Sequence, residues 1–230
     1  MSQTETLREK VALVTGASRG IGRAIALSLA EAGADLVLTS TREGGTREAH
    51  AAAEALGRKV LSVPCDLSRT ADVDALVARA GAVDLLVNNA GTVVWKHAVD
   101  TSDAEFAQVL AVNLVAPFQL ARRLLPGMLA RGSGRIVNVS SISGTMGTPR
   151  LSAYCASKWG LNGFTKALAE ELRGTGVSVY AVMPGSTDTD MLKGSGFTAT
   201  MQPAEIAGTV RYLCSDAPAG MNGSLVEVFG

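Results

Sequence analysis

Tyr154 and Lys158 stand four residues apart in Tyr154-Cys155-Ala156-Ser157-Lys158, a spacing that puts both on one face of a helix. A free phenol titrates near ~10, too high for easy proton exchange at neutral pH, and a neighbouring ammonium favours its ionised form. Such a pair can give a proton to a carbonyl oxygen or take one from an alcohol. The spacing alone is weak evidence, because most Tyr–Lys pairs at i, i+4 are ordinary helix-surface residues. Ser140 and Ser141 lie upstream at the end of an apolar run. Alternation along a strand puts them on opposite faces, so only one can serve the same site. A second cluster is Thr15-Gly16-Ala17-Ser18-Arg19-Gly20-Ile21-Gly22. Its glycines let the backbone turn tightly and approach a pyrophosphate, and a helix starting there offers free N–H groups to an anion. They fall at 16, 20 and 22 rather than in G-x-G-x-x-G spacing, and turn geometry without any ligand also explains such a loop.

These clusters need a scaffold that gathers residues far apart in the chain. Short apolar runs at Val11–Val14, Leu36–Leu38, Val60–Val63, Val83–Val87, Ile136–Val139, Val177–Val182 and Leu225–Phe229 read as seven strands. Between them lie helical segments: Gly20–Ala32, Arg47–Leu56, Ala71–Ala80, Ser102 or Asp103 to about Leu125, Ser152–Leu172 and Pro203–Ser215. Pro117 should kink the long fourth helix. Near-continuous apolar strands alternating with helices predict an α/β fold, a doubly wound, mostly parallel sheet with helices on both faces. No repeat or linker interrupts the pattern, so residues 1–230 read as a single domain. In this architecture ligands bind at the carboxyl ends of the strands, where the glycine loop follows the first strand.

Composition excludes several other classes. Twenty-one basic and 21 acidic residues cancel in 230, which argues against a nucleic-acid or anionic-membrane surface. Cys65, Cys155 and Cys214 are odd in number and lack C-x-x-C spacing, so they predict reduced thiols and a cytoplasmic protein. His50 and His97 are the only histidines and lack ligand spacing, so no metal site is expected. Met1–Lys10 is polar, without a signal-peptide core, and no run of about 18 uninterrupted apolar residues predicts a membrane span.

The octet TGASRGIG, Asn88-Asn89-Ala90-Gly91, Ser141 thirteen residues before Tyr154, and Tyr-x-x-x-Lys together resemble the short-chain dehydrogenase/reductase family. The resemblance extends from about Lys10 to Phe229 and implies a Rossmann-type fold. It also implies a catalytic tetrad of Asn113, Ser141, Tyr154 and Lys158. Tyr154 would be the general acid in ketone reduction. Lys158 would lower its pKa and hold the nicotinamide ribose. Ser141 would hydrogen-bond the carbonyl oxygen, and Asn113, through its backbone carbonyl and a water, would link Lys158 to solvent. The spacing favours Ser141 over Ser140.

The resemblance likewise implies nicotinamide cofactor contacts from Gly16, Ser18, Arg19, Gly20, Ile21 and Gly22, with Asp66 and Leu67, and with Asn88, Ala90 and Gly91. Tyr154, Lys158, Pro184, Gly185, Thr187 and Thr189 complete the set. An acidic residue ending the second strand favours NAD; here Ser40 stands there, and Asp35 lies at the wrong end of the strand. Arg19 and Arg42 would then pair with a 2′-phosphate, unless both are simply solvated. The cofactor expectation is NADPH/NADP+. Val93, Val94, Trp95, Ile142, Ser143, Met146 and Leu151, with Ser141 and Met191, are the expected substrate-pocket residues. Met191, Phe197 and Met201 could form a lid or belong to the core. The segment from Thr189 to Pro203 is short for the family's lid, which predicts an open pocket. Within the family the resemblance is to 3-oxoacyl-ACP reductases and related carbonyl reductases. Their carrier-binding arginines correspond to Gly132 and Thr175 here, with Arg131 and Arg173 out of register. Three activities stay open: NADPH-dependent ketone reduction, NAD-dependent alcohol oxidation, and a cofactor-binding regulator without turnover. A homo-oligomer, a tetramer more than a dimer, is expected.

Overall fold

The computed structural model describes residues 6–230; the first five residues of the polar N-terminal stretch lie outside the described residues. Seven strands form one sheet: β1 (Val11–Thr15), β2 (Asp35–Ser40), β3 (Val60–Pro64), β4 (Leu85–Asn88), β5 (Gly134–Val139), β6 (Val177–Pro184) and β7 (Leu225–Val228). Their order is β3-β2-β1-β4-β5-β6-β7, and every adjacent pair is parallel. The expected mostly parallel sheet is therefore wholly parallel among the described residues. Chain progression reverses direction between β1 and β4, and the crevice at that switch point is where this architecture binds ligands.

Among the described residues seven α-helices cover the sheet: α1 (Gly20–Glu31), α2 (Arg47–Ala55), α3 (Thr70–Ala80), α4 (Asp103–Leu110), α5 (Ala116–Arg131), α6 (Ser152–Glu171) and α7 (Pro203–Ser215). Two apolar clusters lie on the two faces. One joins Ile25 and Leu29 of α1 and Val210 and Leu213 of α7 to Val14, Leu36 and Leu38. The other joins Val73 and Leu76 of α3, Leu120 and Leu124 of α5 and Leu168 of α6 to Leu13, Leu86 and Ile136. Alternation along β1 sends Leu13 to one cluster and Val14 to the other, so each strand is apolar on both sides.

The long fourth helix differs from the expectation in an informative way. Ser102 is its cap, in a reciprocal capping box with Glu105. One π turn (Ala111–Val115) separates α4 from α5, and α5 runs on to Arg131, past the predicted end at Leu125. The break follows from Pro117: it has no N–H to return to the carbonyl of Asn113, four residues back. The ladder slips by one residue there instead of kinking. The whole Asp103–Arg131 run, 29 residues, is long and apolar enough to cross a membrane by length and composition, and 33% of that window is buried. Its buried side, including Leu120, Leu124 and Met128, packs on the sheet.

Candidate active site

The strand ends at Thr15, Ser40, Asn88, Val139 and Pro184 lie along one edge of the sheet, and the predicted site residues follow them. Between β1 and α1 the chain turns through Gly16 (φ +66°) and Gly20 (φ +54°). A Cβ on Gly22 would lie 2.2 Å from the Gly16 carbonyl oxygen and 2.4 Å from Asn89 Nδ2, so only glycine fits there. Asn89 Nδ2 donates to the carbonyls of Thr15 and Gly16, at 2.9 and 3.2 Å. The N–H groups of Asn89 and Ala90 both donate to Thr15 Oγ1 at 3.0 Å. The loop after β4 thus shapes the glycine loop. Arg19, the N-cap of α1, makes no side-chain cap, and no acidic residue occupies the first turn. Free N–H groups, a positive dipole end and a first turn without an acidic residue suit a diphosphate, so this cradle fits the nicotinamide dinucleotide that the sequence implies.

Ser40 ends β2, and its hydroxyl donates to the Arg42 carbonyl at 2.9 Å. Arg42 is exposed. Asp35 sits at the other end of β2, accepting from the Lys59 N–H at 2.9 Å, so no carboxylate stands at the strand's carboxyl end. Arg19 Nε lies 3.1 Å from Asp190 Oδ2. Asp66 folds back on itself, accepting from the N–H and the hydroxyl of Ser68, bonds that lower its pKa. Leu67 belongs to the core.

The Asn88 side chain lies inside the sheet. It is 3% exposed and donates from Nδ2 to Asn138 Oδ1 at 2.9 Å. Asn138 Nδ2 then donates to Thr165 Oγ1 of α6 at 2.9 Å. This buried ladder ties β4, β5 and α6 together, so the Asn88 side chain is structural. Ala90 and Gly91 remain at the crevice, with Lys158 Nζ 3.9 Å and Met191 Cε 3.9 Å from where a Cβ on Gly91 would sit.

Tyr154 and Lys158 occupy successive turns of α6, with Lys158 Nζ 5.6 Å from the phenol ring centre. Lys158 is buried and donates to the Val139 carbonyl at 2.8 Å. Ser141 lies just beyond β5; its Oγ accepts from the Ser143 N–H at 3.1 Å, and it lies near enough to Tyr154 to lower the phenol's pKa. Ser140 points the other way, is 4% exposed and donates to the Lys158 carbonyl. Alternation therefore separates the two serines as expected. Burial pushes Tyr154 up to about 12, against a lowering by Ser141 and with a raising by Cys155. Burial pulls Lys158 down to about 8. The Lys158 ammonium is turned toward the Val139 carbonyl, and desolvation of the phenolate dominates the shift of Tyr154.

Asn113 is fully buried in the π turn. Its Oδ1 accepts from the Thr92 N–H at 2.8 Å, and its Nδ2 donates to the Thr92 carbonyl at 2.9 Å and Ser157 Oγ at 3.0 Å. The side chain is a clamp between the loop after β4 and α6. Its backbone carbonyl is the one that Pro117 leaves without an α-helical donor.

Of the pocket residues, Val93, Val94 and Trp95 lie partly exposed on the loop after β4, with Ile142 partly exposed beyond Ser141. Ser143 (6%) and Leu151 (4%) are buried, and their side chains support the wall instead of forming an open surface. Met146 is exposed at the rim. After Pro184 and Gly185, Thr187 is buried and pairs with Met201 in an isolated bridge. The Thr189 hydroxyl donates to the Thr187 carbonyl, and its methyl would lie 3.2 Å from a Cβ on Gly20. No helix follows Thr189, so it is not an N-cap. The short segment does not leave the pocket uncovered: Phe197 packs on Trp95 with ring centres 6.2 Å apart, and Met191 approaches Gly91. Met201, 2% exposed, belongs to the core.

Several residues at the site were given no role from sequence: Thr15, Asn138, Ser157 and Thr165. Asn138, a polar residue inside the apolar run of β5, carried a readable signal. Arg150 was also missed. It has φ +65°, accepts at its carbonyl from the Lys96 N–H and donates to the Trp95 carbonyl, which joins two walls of the site.

Known proteins share this sequence pattern and fold. The short chain dehydrogenase family model matches residues 10–198. The chain is 40% identical over 237 residues to a 3-oxoacyl-(acyl-carrier-protein) reductase FabG of Vibrio cholerae, covering 97% of each. It superposes with TM-score 0.93 and 30% identity on a 3-oxoacyl (acyl-carrier-protein) reductase of Agrobacterium tumefaciens solved with NADP bound, covering 100% of this chain and 96% of that one. A putative NAD(P)-dependent gluconate 5-dehydrogenase of Beutenbergia cavernae, also with NADP, gives TM-score 0.90 at 33% identity, over 97% of this chain and 96% of that one.

Proposed function

The chain belongs to the short chain dehydrogenase family of oxidoreductases, and we propose that it is an NADPH-dependent reductase of a 3-oxoacyl thioester or small β-keto compound. One observation carries the reading. The Tyr154 hydroxyl, the Ser141 hydroxyl and Lys158 converge beyond β5, facing the glycine cradle across Gly91. When bound, the cofactor supplies hydride to the carbonyl carbon. Tyr154 gives its proton to the carbonyl oxygen, and its raised pKa keeps that proton in place at neutral pH. Ser141 holds the same oxygen: the Ser143 N–H already occupies one of its lone pairs and orients its hydroxyl. Lys158, buried and held by Val139, positions the ribose and returns a proton to Tyr154. A water held by the Asn113 carbonyl would carry that proton onward to solvent.

Ser40 at the end of β2, with Arg42 two residues on and Arg19 in the glycine loop, supports NADPH. The relatives' names and the bound NADP of two structural neighbours support it as well. The alternative, an NAD-dependent alcohol dehydrogenase, would need an acceptor for the ribose hydroxyl where Ser40 stands. A cytoplasmic homo-oligomer, more a tetramer than a dimer, built on α4–α6 and β7, completes the proposal.

A steady-state assay tests it, following NADPH and NADH oxidation over β-ketoacyl thioesters, β-ketoesters and diketones. NADPH turnover on a β-keto compound is expected. Cofactor binding without turnover on any of them would overturn the enzyme reading, and equal use of NADH would overturn the cofactor assignment.

A further inference from the structure

Arg19 is paired with a carboxylate on the segment that leaves β6. A nucleotide's ribose lies near the carboxyl end of β2, at Ser40–Arg42. The Arg19 guanidinium reaches toward the segment leaving β6, where Nε lies 3.1 Å from Asp190 Oδ2. In the sheet β4 and β5 separate β1 from β6, so the covering segment reaches back across the crevice to make this pair. Thr189 beside Gly20 fixes the approach. Asp190 has a second partner, Lys193 Nζ at 2.6 Å. A cavity of about 440 Å³, bordered by Gly20, Arg23, Asp190 and Lys193, lies alongside.

We propose that Asp190 determines cofactor affinity by competing with the 2′-phosphate for Arg19. The inference rests on the NADPH reading and names a residue outside the expected binding set. Arg19 and Asp190 side chains are 72% and 49% exposed, and an ion pair so exposed is weak and readily exchanged. A phosphate dianion offers more charge and paired oxygens to a guanidinium. When Arg19 turns to it, Lys193 stays with Asp190, so the carboxylate is not left unpaired. Asp190 therefore taxes only ligands that need Arg19.

The test measures calorimetric dissociation constants for adenosine 2′,5′-bisphosphate and for AMP, which lacks the 2′-phosphate. The proteins are the wild type, Asp190→Asn, Arg19→Ala and the double variant. Asp190→Asn is expected to tighten bisphosphate binding roughly two- to five-fold, the range of an exposed ion pair, and to leave AMP unchanged. In the Arg19→Ala background the same substitution is expected to change nothing. Equal tightening of both ligands, or tightening that survives without Arg19, would mean that Asp190 acts through its general field and overturns the proposal. No change in the single variant overturns it too. Wild-type protein that binds the bisphosphate no better than AMP would instead sink the NADPH reading beneath it.

Discussion

Burial acts on Tyr154 and Lys158 in opposite directions, because desolvation disfavours whichever form is charged. For Lys158 the ordinary value of 10.5 falls to about 8. Between these values the unfolded chain holds a proton that the folded chain has released, so folded stability rises with pH across that window. The ligand-free wild type should therefore gain stability relative to Lys158→Met as pH rises from about 8 to 10, by on the order of 1–3 kcal/mol. Denaturant unfolding at successive pH values checks this, and a flat difference would show that Lys158 is not depressed. Tyr154 moves the other way, from 10.0 to about 12. Its contribution is complete below pH 10 and lost as pH rises through 12, so the comparison stops short of it. Tyr154→Phe keeps the ring and removes the proton, and kcat should fall by about 10²–10⁴, the usual worth of a positioned acid. An unchanged rate would refute the assignment.

At the scale of elements, the glycine loop and the turn between α4 and α5 position the chemistry. Gly22→Ala brings a Cβ to 2.2 Å from a backbone oxygen and 2.4 Å from Asn89. The loop must open, and cofactor affinity should fall at least ten-fold by fluorescence titration, on the order of 1.4 kcal/mol or more. Ser102→Ala removes a cap that accepts from the Glu105 N–H, and should lower stability by about 1 kcal/mol without changing KM. Much here was legible. Strand ends, glycine stops and Pro203 mark boundaries because they are local backbone chemistry. The π turn was not legible: Pro117 announces a disturbance, but whether the helix kinks or slips depends on what packs beside it. Asn113 held between Thr92 and Ser157 decides for the slip.

On the whole molecule, large apolar side chains stay in water along the outer helices. Phe106, Val115, Phe118 and Leu129 of the α4–α5 run are 40–47% exposed, and Trp159 of α6 is 54% exposed. Phe118 packs edge-on against Phe164 of α6, with ring centres 5.7 Å apart, so one aromatic pair bridges the two helices. Exposed apolar side chains on these helices suit association, in line with the proposed homo-oligomer. Light scattering should find the wild type as a tetramer and Phe118→Asp as a smaller species, with its circular dichroism unchanged. A monomeric wild type would overturn the expectation.

The order of the elements, and the residues to which the proposed chemistry is assigned, were legible in the sequence by itself. Periodicity, turn residues and short motifs are local, and chain order sets which strand ends can meet. The tertiary structure decided what each polar group does with its neighbours. Asn88 and Asn113 are amides in similar motifs, yet one became a rung between strands and the other a clamp under a loop. Arg19 was readable as a phosphate partner, but not as the partner of Asp190. Those roles depend on burial and on contacts between residues up to 171 positions apart in the chain, which no local pattern encodes.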